Sequence, residues 1–242
     1  MAPRALLIAI LVICSFAVAQ PTAAGPDRGV RTAKASAPMD LAGYWVSYVT
    51  EEWRFRMITP RKGDYGGGFS GLPMTEQARK IADAWDPAAD EASGNQCKAY
   101  GAAAIMRIPA RFHVSWQDDN TLRVDSDAGM QTRIFHFDPP PPLLGERTRQ
   151  GYSAAQWESG SLKVVSTNVL PGYLRKNGVP YGEKATVTEY FELAPFPDGG
   201  QLLMVTTIVN DPQYLTEPFI VSSQFKREAD GSKWDPTECT SR

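Results

Sequence analysis

Glu189 sits in the run Val187-Thr-Glu189-Tyr-Phe191, where every second residue is apolar except itself. If that run is a strand, Val187, Glu189 and Phe191 share one face, and a carboxylate there faces a core. Burying it unpaired would cost several kcal/mol, roughly, so it must find a cation or take up a proton. Desolvation raises a carboxyl pKa and suits the group to general acid or base work. Arg111, His113 and Ser115 share a face of a second alternating segment, and Arg123 and Asp125 share one of a third. Glu189 as base, His113 as acid, and Arg111 or Arg123 steadying an oxyanion would make a cofactor-independent lyase, isomerase or hydrolase. The alternative reading puts these faces on the wet exterior, with Glu189 in a cross-strand ion pair.

Sharper catalytic patterns are missing. Gly151-Tyr-Ser153 lacks the second glycine of a nucleophile elbow, and Gly66-Gly67-Gly68 opens no phosphate-binding helix. Ser223-Gln-Phe-Lys226 has the Ser-x-x-Lys spacing but alternates as a strand, which keeps lysine away from serine. The two histidines, His113 and His136, form no metal-binding pair, and no cofactor or metal is expected. Aromatic side chains are plentiful, and a surplus at a cavity mouth would stack on an organic ligand. Tyr173 and Arg175, in a hairpin loop, and Trp116 and Trp157 are the candidate ligand contacts.

The elements that must position these groups are mostly strands. Period-two alternation marks residues 52–57, 111–117, 122–125, 131–137, 152–158, 162–168, 185–193, 202–209 and 219–226. Turn residues separate them, as in Asp118-Asp119-Asn120, Lys176-Asn177-Gly178 and Asp198-Gly199-Gly200. One helix is expected over 76–85, capped by Thr75 and stopped by Asp86-Pro87. Successive hairpins predict an all-β, antiparallel up-and-down, lipocalin-like barrel of about eight to ten strands with one short helix.

The N-terminus reads as a secretory signal. Arg4 precedes an apolar run over 5–19 that ends in Ala17-Val18-Ala19, with cleavage expected before Gln20. Residues 20–39 read as a flexible leader and 40–242 as a single barrel domain. Cleavage removes one of the 25 basic residues, leaving 24 against 27 acidic ones, too balanced a charge for nucleic acid. No later apolar run is long enough for a membrane span, so a periplasmic or secreted protein without membrane insertion is expected. Cys97 and Cys239 remain after cleavage and read as one disulfide in an oxidising compartment.

Four stretches carry a resemblance: GYWVS at 43–47 with Glu52-Trp53, QCKAY at 96–100, GYLRKNGVP at 172–180 and TTIVNDPQYLTEP at 206–218. Together they resemble a widespread group of exported bacterial β-rich proteins. The resemblance implies the exported, β-rich character and carries no catalytic residue over. The leading functional expectation is a barrel that binds a small, partly apolar or aromatic organic molecule. The acid–base enzyme is its rival, and an assembly role at the cell envelope is the third reading.

Overall fold

Alternation in the sequence translates directly into strands whose odd and even residues part company. A computed structural model describes residues 31–67, 71–138 and 146–242; the expected signal segment and most of the leader lie outside the described residues. The strands are β1 (Gly43–Ser47), β2 (Arg111–Asp118), β3 (Thr121–Ser126), β4 (Gln131–Phe137), β5 (Tyr152–Glu158) and β6 (Ser161–Thr167). They continue with β7 (Gly172–Arg175), β8 (Val179–Tyr181), β9 (Thr186–Pro195), β10 (Gln201–Asn210) and β11 (Phe219–Glu228). Nine of them close a barrel in the order β1-β11-β10-β9-β6-β5-β4-β3-β2, and β7 and β8 form a separate hairpin. An odd number of strands cannot alternate direction all the way round. The mismatch falls between β4 and β5, which run parallel through Phe135–Ser153, His136–Ala154 and Phe137–Ala155. Every other barrel neighbour is antiparallel, as the meander predicts.

The lumen is filled with side chains. Trp45, Phe112, Leu122, Phe135, Leu162, Val164, Phe191 and Phe225 are buried in one cluster. Phe112 meets Phe225 edge-on at 5.2 Å and Phe135 meets Phe191 at 5.6 Å, the offset geometry that aromatic quadrupoles favour. A second cluster joins Val187, Val209 and Phe219 of the wall to Leu174, Val179 and Tyr181 of the β7–β8 hairpin.

Among the described residues three short α-helices occur instead of one: α1 (Trp53–Arg56), α2 (Glu76–Ala84) and α3 (Pro87–Ala92). Thr75 caps α2 by accepting from the Ala78 amide, as its sequence predicts. The alternation at 52–57 folds into α1, not a strand. Four residues cannot distinguish a period of 2 from one of 3.6, and the chain there is bent by ion pairs described below.

Order also begins before Asp40. Ala33 donates to Asn120 Oδ1 at 2.8 Å and accepts from Trp157 Nε1 at 2.8 Å, so residues 32–36 cover one barrel end. The Cys97–Cys239 disulfide is present and joins positions 142 residues apart. Among the described residues, no helix is long and apolar enough to cross a membrane.

Candidate functional site

The barrel wall separates the residues of the expected acid–base cluster. Glu189 of β9 faces the lumen and is 0% exposed, as its neighbours Val187 and Phe191 require. Its partner is Arg133 of β4, 1% exposed, whose Nη1 and Nη2 donate to Oε1 at 3.0 Å and Oε2 at 2.5 Å. Arg133 Nη2 also donates to Ser166 Oγ at 3.2 Å, and Ser166 shares a 2.7 Å bond with Ser153. Arg111, His113 and Arg123 alternate with the lumen-facing Phe112, Val114, Leu122 and Val124, so they lie on the outer face. There Arg111 pairs with Glu228 at 3.0 Å, Arg123 forks onto Asp125 at 2.7 and 2.8 Å, and His113 stacks on Tyr44 at 4.3 Å. No acid–base cluster is assembled from these four. The sequence held the missing partner, because Arg133 is in phase with the buried Phe135 and Phe137.

The expected ligand contacts also divide. Tyr173 donates to Asp90 Oδ2 at 2.9 Å beside Trp85 Nε1 at 3.0 Å, which ties β7 to α3. Burial, then the bond to Asp90, pushes its phenol well above the usual range. Trp116 and Trp157 flank Phe137 at 5.5 and 5.2 Å. They close the barrel end covered by residue 33, where they serve packing. Only Arg175 meets a cavity that looks chemically directed.

That cavity, about 300 Å³, opens at the other end, where β2 starts and β3 stops. Arg56 from α1, Arg107 from the 3-10 turn Ile105–Arg107, and Arg175 from β7 converge there, with side chains 1%, 5% and 0% exposed. Three carboxylates act on the three guanidiniums, Asp64 through its charge on Arg175 and the other two by direct bonds. Arg56 Nη1 bonds Glu51, while Glu52 accepts from Arg107 Nη2 at 2.6 Å and from Arg175 Nη2 at 2.8 Å. Backbone carbonyls fix the remaining geometry: Arg56 Nε donates to Arg107 O at 2.9 Å, Arg107 Nη1 to Leu174 O at 3.2 Å, and Arg175 Nη1 to Tyr65 O at 3.1 Å. Arg56 Nη2 and Arg107 Nε are buried without a partner.

Burial pulls all three guanidinium pKa values down, and the charge of Arg107 adds to it at Arg175, which falls to about 10. Each is a positive charge at neutral pH, because arginine keeps its proton in proteins. Lys176 adds another at the rim, donating to Tyr100 Oη at 3.1 Å and Thr240 Oγ1 at 2.9 Å. Phe55, Met57, Ile58, Ile108, Pro109 and Leu174 supply apolar wall. A site of this kind can hold an anion and bury an apolar body beside it.

No family model, curated protein or solved structure matches this chain. Among the described residues, no group of three or more His, Cys, Asp or Glu side chains could hold a metal ion.

Sequence reasoning found Arg175 but not its companions. Positions 56, 107 and 175 share no periodicity, and they meet only because the 3-10 turn, the hairpin and α1 converge on one barrel end.

Proposed function

We propose that this protein is exported and binds a small, partly apolar organic anion in the cavity walled by Arg56, Arg107 and Arg175. One observation carries the reading: three buried guanidiniums converge on one cavity, and Arg56 Nη2 is buried there without a partner. A buried donor left unmade costs about 1–3 kcal/mol, which an anionic ligand would recover. The volume of about 300 Å³ suits a small molecule of single-ring size. Export is supported by the signal-like residues 1–19 and by the disulfide, which needs an oxidising compartment to persist. The same proposal places the chain with the exported β-rich bacterial proteins that its motifs resemble.

Catalysis by Glu189 has less support, since its carboxylate is sealed in the lumen on Arg133. The test is calorimetric titration of the full chain with matched pairs of carboxylic acids and their neutral amides. Carboxylates should saturate while amides do not, and Arg56→Met should weaken carboxylate binding by at least about tenfold. Equal binding of acid and amide, or no binding of either, would rule the reading out.

A further inference from the structure

Glu52 holds a left-handed backbone just before the cavity-lining segment that begins at Phe55. Its φ of 46° and ψ of 26° lie in the left-handed region, where a residue with a Cβ is disfavoured. It occupies the N-cap of α1 yet its side chain makes no cap bond. The carboxylate instead reaches Arg107 and Arg175, each of which gives one Nη to one oxygen.

Those two guanidiniums do not depend on Glu52 for their positions. Arg107 is held by Leu174 O and lies 5.5 Å over the Phe219 ring. Arg175 is held by Tyr65 O and lies between that ring, at 5.9 Å, and the Phe55 ring, at 4.3 Å. The two guanidiniums have backbone anchors of their own, whereas the Glu52 carboxylate rides on a left-handed turn. The residues after Glu52 complete the picture. Phe55, Arg56, Met57, Ile58, Thr59 and Pro60 form one continuous side of the cavity. On the same segment Trp53, Met57 and Ile58 are 57–60% exposed, while Arg56 is buried and donates to Arg107 O, which anchors the segment beyond Glu52.

We infer that Glu52 is a resident carboxylate latch, which a ligand carboxylate displaces from between Arg107 and Arg175, loosening the α1 turn that Glu52 begins. The inference rests on the anion-binding reading and narrows it to carboxylates. One donor per oxygen, from two guanidiniums, matches a planar two-oxygen acceptor. Exchanging one carboxylate for another leaves the charge of the cluster unchanged. Glu51 keeps its bond to Arg56, and Arg56 keeps its bond to Arg107 O, so Arg56 stays in the cavity wall.

Hydrogen exchange of the full wild-type chain, with benzoate titrated and benzamide as control, tests this. As benzoate saturates, amides of residues 52–58 should exchange at least about tenfold faster, and benzamide should leave them alone. Glu52→Gln should bind benzoate about tenfold tighter in calorimetry, because the latched state no longer competes. If benzoate binds but slows exchange at 52–58, and Glu52→Gln binds no tighter, Glu52 is a fixed counterion. The latch is then overturned while the anion-binding reading stands. If neither protein binds benzoate, both fail. The exchange measurement needs no variant, so a poorly folding Glu52→Gln leaves the test intact.

Discussion

Removing Glu189 should damage stability before it touches any function. Its carboxylate is 0% exposed, and Arg133, 1% exposed, forks onto both oxygens at 3.0 and 2.5 Å. Glu189→Ala leaves a buried guanidinium with Ser166 as its remaining partner. Breaking one side of such a pair costs about 3–5 kcal/mol. For a domain of this size that lowers the thermal midpoint by roughly 6–20 °C. Arg133→Ala should cost a similar amount by stranding the carboxylate. The double change Arg133→Leu with Glu189→Leu removes both charges at once and should recover most of the loss, or exceed wild type by about 1–4 kcal/mol. The assay is urea unfolding of all four proteins, compared at their midpoints with slopes checked for constancy. A single substitution costing under about 1 kcal/mol would refute the argument, because a dry ion pair cannot be opened so cheaply.

Two further outcomes follow from features elsewhere. Reducing Cys97–Cys239 opens a loop of 142 residues, which the chain-entropy treatment values at about 5 kcal/mol; urea unfolding with and without reductant should show a shift of that order. Tyr65 is 3% exposed, and burial followed by its 2.6 Å bond to Asp83 raises its pKa to about 12. The unfolded chain's tyrosine ionises near 10. Stability from this group is therefore fully present below pH 10 and is lost as pH rises from about 10 to 12. Tyr65→Phe should flatten that part of the stability profile, and an unchanged alkaline slope would contradict it.

The strands of the barrel wall were legible because their alternation is driven by the core they enclose. Gln131–Phe137 and Tyr152–Glu158 carry the expected bounds, and the inward face of Glu189 follows from Val187 and Phe191. The same parity applied to β2 puts His113 outside, since Phe112 and Val114 claim the lumen. What alternation cannot supply is register between distant strands, and so Arg133 and Glu189, 56 residues apart, were not paired. Nor does it foretell α1, where Arg56 is buried and Trp53 is 60% exposed, against the usual order. Long-range bonds from Glu52 to positions 107 and 175 decide that segment, and no local pattern records them.

The closing seam of the barrel also sets a timetable for assembly. β1 pairs with β11, Tyr44 lying opposite Glu228, so the earliest of the nine wall strands receives its second neighbour only from the last of them. Until then β1 presents a bare hydrogen-bonding edge, a template for other chains. Bringing such distant segments together is slow, because the entropy of the intervening chain is lost before any contact rewards it. Oxidation of Cys97 must wait as well, since Cys239 follows β11. A chain cut short anywhere before residue 219 would leave the wall open and the thiol free, a state that quality-control factors could recognise by either mark.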